Sequence, residues 1–224
     1  MRALQLGTYI ANLTYSDLPE PVIHATKRCI LDYLSAVIPG GVEAPALALQ
    51  RALDDDLGHG KSTLIPSNIQ ATPRSAALIN GVASHTLEVD DIYRDGIYHP
   101  GPPVVSAALA AAELMGSSGK ELIAGVVAGY EVSNRIAAAV QPAHYDYWHT
   151  TGTVGAFGAA VAAAKLMNLT AAQTKHAIGN AATMAAALQQ AFRSDAMSKP
   201  LHAGRAAETG VLCAQMAAAG VTGA

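Results

Sequence analysis

The chain has 224 residues, 51% of them hydrophobic and only 14% charged, and its 17 acidic and 14 basic side chains give a formal net charge of −3. That length can bury a substantial core as one large domain or two small ones. A faintly acidic chain without a basic stripe is not built to follow a nucleic-acid backbone, so the expected partners are small molecules or proteins.

In chain order, Met1 to Leu13 lacks a basic stretch leading into a long apolar core, and no signal peptide is expected. Asp17, with Glu20 three residues on and Pro19 and Pro21 beside it, predicts a capped helix start. Val22, Cys29, Ile30, Tyr33, Val37 and Ile38 then recur at helical spacing until Pro39-Gly40-Gly41. Cys29 falls on that apolar face. The other cysteine, Cys213, is distant and neither has CxxC or Cys/His ligand spacing, so both read as buried thiols of a cytoplasmic chain, with no zinc site and no disulfide.

Pro45 to Leu57 predicts a second helix, stopped by Gly58-His59-Gly60, and Ser62 to Pro66 reads as a short extended connection. Thr72-Pro73 opens a helix running toward His85. Further helices are expected over 104–114, 119–139, 153–167, 170–188 and 203–219, and no convincing strand series is present. The uncharged run from Tyr147 to Ala164 carries His149, three threonines and three glycines, too polar for a membrane span. The fold class is all-α, a single helical domain over 1–224, with alanine and glycine letting helix axes approach closely.

Three polar breaks hold the chemistry: His85 to Gly101, His144 to Thr153, and Ser198-Lys199-Pro200-Leu201-His202-Ala203-Gly204-Arg205. Histidine exchanges protons near neutral pH. A lysine can anchor a carboxylate as a point charge or, pushed toward neutrality by burial, act as a base. Adjacent acids such as Asp90 and Asp91 are also ordinary turn or cap residues. Arg94 can grip a carboxylate or pair with Asp95 or Asp91, Thr151 and Thr153 can cap a helix, and His202 can satisfy backbone groups at the last helix start.

Gly81-Val82-Ala83-Ser84-His85-Thr86-Leu87-Glu88-Val89-Asp90-Asp91, His99-Pro100-Gly101, His149-Thr150-Thr151-Gly152-Thr153 and Ser198 to Gly204 resemble, in this order, the motifs of the MmgE/PrpD family. The resemblance runs from near residue 5 to the end. It implies a helical domain with the site at its edge, an α+β lid domain that lies outside these 224 residues, no metal or organic cofactor, and a small polycarboxylate as substrate. Family members are usually homodimers, so a dimer, or a complex with a lid-bearing chain, is the implied assembly. Leu87-Glu88-Val89-Asp90-Asp91 departs from the usual Leu-Asp-Phe-Asp-Asp, and Gly101-Pro102 stands where a serine-containing turn is usual.

Carried over by position, the resemblance implies catalytic roles for His99, His149, Lys199 and Asp91, and substrate contacts from Asp90, Arg94, Thr151 and His202. The implied activity is a lyase, a dehydratase or decarboxylase working next to a carboxylate. The alternatives are an epimerase or isomerase using the same site and a non-catalytic helical module that binds a partner.

Overall fold

Helix α7 (Thr150–Leu166) is the axis of the domain, buried along its length except at Phe157 and Lys165. It is made almost wholly of Ala, Gly, Thr and Val, so helices can pack around it at short range. Those helices are α5 (Gly101–Met115), α6 (Gly119–Val140), α8 (Ala171–Met184) and α9 (Ser198–Ala218) in this computed structural model, which describes residues 2–224. A Cβ on Gly158 would sit 2.7 Å from Val104 Cγ2, and one on Gly210 would sit 2.3 Å from Ala159 Cβ. The architecture is all-α, as expected.

The outer elements extend this packing. Helix α4 (Pro73–Thr86) crosses α9 where a Cβ on Gly81 would meet Gly204 Cα at 2.7 Å, and that crossing brings His85 to the same end as Lys199 and His202. Helix α2 (Glu20–Gly40) lies on α4 and α5, tied by the buried Tyr33 hydroxyl to Ser106 Oγ at 2.8 Å. Helix α3 (Ala44–Ala52) packs along α4. Helix α1 (Arg2–Asn12), not predicted from the sequence, packs against α8. Capping boxes start α6 (Ser118 with Glu121) and α8 (Thr170 with Gln173), and Gly116 ends α5 in the left-handed region at φ 67°.

Several expectations need correction. Asp17 does not cap α2: its carboxylate accepts from Thr14 N at 2.8 Å and Thr14 Oγ1 at 2.7 Å around a short turn, and α2 begins at Glu20. Cys29 is only half-buried, with Val22 and Ile38 exposed beside it, whereas Cys213 is buried. Helix α3 stops at Ala52 because the chain turns into a small antiparallel hairpin, β1 (Leu57–Thr63) with β2 (Gln70–Ala71). Ser62 Oγ donates to Ala110 O at 2.8 Å, and Asn80 Nδ2 donates to Thr63 O at 2.8 Å, so the hairpin is held by α5 and α4. Helix α8 ends at Met184, not near residue 188. Among the described residues no helix is long and apolar enough to cross a membrane.

Candidate active site

The N-termini of α5, α7 and α9 open toward one region, into which α4 delivers its C-terminal end. His99 lies two residues before α5, His149 is the N-cap residue of α7, and Lys199 and His202 occupy the first turns of α9. Each of these helices starts earlier than its propensities predict, by three residues for α5 and α7 and by five for α9. Gly101-Pro102-Pro103, Thr150-Thr151-Gly152 and Lys199-Pro200 are poor helix formers, yet a proline in the first turn costs no hydrogen bond and burial outweighs the rest.

At the centre, Asp90 Oδ2 accepts a hydrogen bond from His85 Nδ1 at 2.9 Å and lies 3.0 Å from His99 Nδ1, an ion-pair contact too oblique for a full hydrogen bond. His85 and Asp90 are 1% and 8% exposed. His85 Nε2 and Asp90 Oδ1 are buried with no partner among the described residues. The His85 ring meets that of His99 edge-on at 5.0 Å and stacks on that of His149 at 5.6 Å. His149 Nδ1 lies 3.1 Å from His202 Nδ1, so these rings hold complementary tautomers with one proton between them. His149 is fixed from behind by its own N–H donating to Ala187 O at 3.0 Å, part of a short pairing between residues 147–149 and 187–189.

Environment divides these groups. Burial opposes charge on His99, but the contact and charge of Asp90, with the more distant charge of Asp91, outweigh it and raise its pKa above the ordinary imidazole value. Burial would also raise Asp90, but the contacts from His85 and His99 prevail and hold its carboxyl well below the usual range. His149 is pushed far down by burial, reinforced by any positive charge on His85, His202, Lys199 or His99, and burial then His85 lower His202 in the same direction. Asp90 therefore favours the protonated form of His99, while burial favours the neutral form of His149.

Lys199 pairs with Glu88 and its Nζ sits 5.0 Å from the Phe192 ring centroid, while Phe192 meets His149 edge-on at 4.7 Å. Thr151 is fully buried and caps nothing: its Oγ1 accepts from His99 N at 3.2 Å, locking the loop before α5 to α7. His202, expected to serve backbone groups, contacts His149 instead. The structure thus joins His99, His149, Lys199, Asp90, Thr151 and His202.

It does not bring in Asp91 or Arg94. Asp91 Oδ1 accepts from Gly101 N at 2.8 Å and Oδ2 accepts from Tyr130 OH at 2.8 Å, with its own N–H donating to Asp32 Oδ2 at 2.9 Å. Burial pushes its carboxyl up to about 6. Arg94 is exposed on the turn Arg94–Gly96 and, among the described residues, pairs with neither Asp95 nor Asp91. His85 was not among the predicted site residues. Its signals were its place at the start of the His85 to Gly101 break and in the Gly81 to Asp91 segment, and neither set it apart from a structural histidine at a helix end.

The nearest cavity, about 450 Å³, lies beside the cluster and reaches it at His202, with Trp148, Leu188, Leu201 and Arg205 in its wall. His85, Asp90 and His99 offer ligand atoms within 4.8 Å of one another. Asp90 Oδ2 lies 2.9 Å from His85 Nδ1 and 3.0 Å from His99 Nδ1, so one carboxylate oxygen faces two imidazoles.

A helical domain that gathers His85, His99, His149 and His202 around Asp90 where three helix N-termini open has the groups for acid–base chemistry. The chain belongs to the MmgE/PrpD family, matching the MmgE/PrpD N-terminal domain over residues 4–224. It is 30% identical over 224 residues to a cis-aconitate decarboxylase of Homo sapiens, covering 97% of this chain and 46% of that one. It is 28% identical over 228 residues to a cis-aconitate decarboxylase-like protein, oryM, of Aspergillus oryzae, covering 98% and 47%. A cis-aconitate decarboxylase of Aspergillus terreus is 28% identical over 211 residues, covering 91% and 43%. The chain spans about half the length of these relatives.

Proposed function

We propose that this domain carries the acid–base centre of a lyase acting on a small polycarboxylate, with decarboxylation of cis-aconitate the favoured reaction and dehydration the second reading. The observation that carries this is the cluster in which Asp90 faces both His85 and His99 while His149 stacks on His85, so that Asp90 favours a charged His99 and burial a neutral His149. The names of the relatives favour decarboxylation.

In this reading a substrate carboxylate takes the place of Glu88 beside Lys199 Nζ, assisted by the dipoles of α5, α7 and α9. Loss of CO₂ breaks a C–C bond and leaves its electron pair on the substrate, spread into an adjoining carboxylate. The His99 imidazolium then donates the proton that quenches it, and Asp90 holds the imidazole as it becomes neutral. Dehydration would use both partners: neutral His149 takes the proton next to the carboxylate and His99 protonates the departing hydroxyl. No step requires a cofactor. Exposed Trp148, Leu188, Phe192 and Met197 at the rim favour closure by a further polypeptide surface, from a second copy or a lid-bearing chain.

The test is CO₂ release from cis-aconitate by the full protein and its His99→Asn variant. A fall of about 100-fold or more at unchanged circular dichroism is expected, the usual scale for losing a positioned acid. Solvent deuterium entering recovered substrate with no loss of CO₂ or water would instead assign an isomerase.

A further inference from the structure

Asp91 makes no contact with the histidine cluster, yet it sits where the cluster's geometry is set. The loop from Asp90 to Gly101 leaves α4 and returns to start α5, and its ends carry Asp90 and His99. Its tip is closed by Tyr93 and Tyr98, paired through Tyr93 N to Tyr98 O at 2.7 Å and Tyr98 N to Tyr93 O at 3.3 Å. Beyond that pairing, the end carrying His99 is tied to α7 through Thr151 and the end carrying Asp90 to α4 through His85, but neither contact joins the two ends to each other. The Asp91 carboxylate is the next bridge: Oδ1 takes the Gly101 N–H, one of the unpaired donors of α5, across the loop. The bridge is anchored on both sides, by Tyr130 of α6 on Oδ2 and by Asp32 of α2 on the Asp91 N–H.

We infer that Asp91 is a positioning residue, a clamp across the 90–101 loop that holds Asp90 against His99, and not itself a catalytic group. This rests on the acid–base reading of His99 given above. The titratable and charged groups facing Asp91 are Asp32, Cys29 and Arg28 from α2, Tyr130 from α6, and Asp90, Tyr98 and His99 from the loop. Because geometry and not charge is what the clamp supplies, an amide should serve where a methyl group fails. Asparagine keeps an oxygen for Gly101 N–H, and its NH₂ can donate to the Tyr130 hydroxyl. Alanine leaves both partners unmet.

The experiment compares Asp91→Asn with Asp91→Ala, reading the His99 titration midpoint by NMR and turnover of cis-aconitate. Both variants lose the Asp91 charge, so their difference isolates geometry. The expected result is a midpoint about one unit or more lower in the alanine variant than in the asparagine variant, the scale of losing a nearby carboxylate. Its kcat should fall at least about tenfold with KM within about threefold, while asparagine rescues kcat to within about threefold. Equal midpoints in the two variants would overturn the inference, as would an asparagine variant as inactive as alanine with an undisturbed midpoint. The NMR arm needs no turnover: a midpoint difference in a chain that leaves cis-aconitate untouched would support the clamp and count against the proposed reaction. Circular dichroism checks that both variants fold.

Discussion

Asp90 and Asp91 are neighbours in sequence with opposite fates. Asp90 is held well below the usual carboxylate range because two imidazoles outweigh its burial, whereas Asp91, met mainly by neutral donors and other acids, rises to about 6. The signs follow by linkage. His99, raised on folding, adds stability that is complete below its unfolded pKa and lost as pH rises through the raised value. Asp90, lowered on folding, adds stability present above its unfolded pKa and lost as pH falls through the lowered one. The Tm difference between the unsubstituted chain and Asp90→Asn should therefore peak near about pH 5–6 and shrink by about pH 9. Asp91 acts in reverse, since a raised carboxyl costs stability as pH climbs between its unfolded value and about 6. Asp91→Asn should raise Tm at about pH 8 but not at about pH 4, by scanning calorimetry at both. The motifs made these residues visible in the sequence, but not which acid faces which partner. That choice depends on where α2 and α6 place Asp32 and Tyr130, 59 and 39 residues from Asp91.

At the level of elements, helix starts carry the chemistry, and they are where sequence and structure diverged. The bodies of α4 to α9 were legible from alanine content, and the starts of α4 and α8 from the caps Thr72 and Thr170. The starts of α5, α7 and α9 were not, because glycine, threonine and proline there read as breaks while tertiary burial makes them helical. Lys199 consequently projects from an ordered first turn and not from a loop between helices. The α4–α9 crossing then sets its distance from His85. A Cβ on Gly204 would lie 2.3 Å from Leu78 O, so Gly204→Ala should push the helices apart and cost about 1–3 kcal/mol. Chemical denaturation would read that loss. In the core, Tyr33→Phe strands the buried Ser106 hydroxyl and should cost about 1–2 kcal/mol in the same assay.

For the whole molecule, composition was enough to predict a helical domain, since a chain this rich in alanine and glycine and this poor in aromatics fills its core by bringing axes together. The β1–β2 hairpin escaped because its strands are short and largely polar, held through Ser62, Thr63 and Asn80 on helices distant in sequence. The site depends on the same global packing: α4 and the loop after it supply His85, Asp90 and His99, while His149, Lys199 and His202 come from the starts of α7 and α9, more than 45 residues on. In the proposed reaction Asp90 keeps His99 protonated for proton delivery. The most direct measurement of that role is the pH–rate profile of cis-aconitate decarboxylation by the full protein and its Asp90→Asn variant. The alkaline limb, set by His99 losing its proton, should move to lower pH by about one unit or more in the variant. An alkaline limb at the same pH in both proteins would contradict that role.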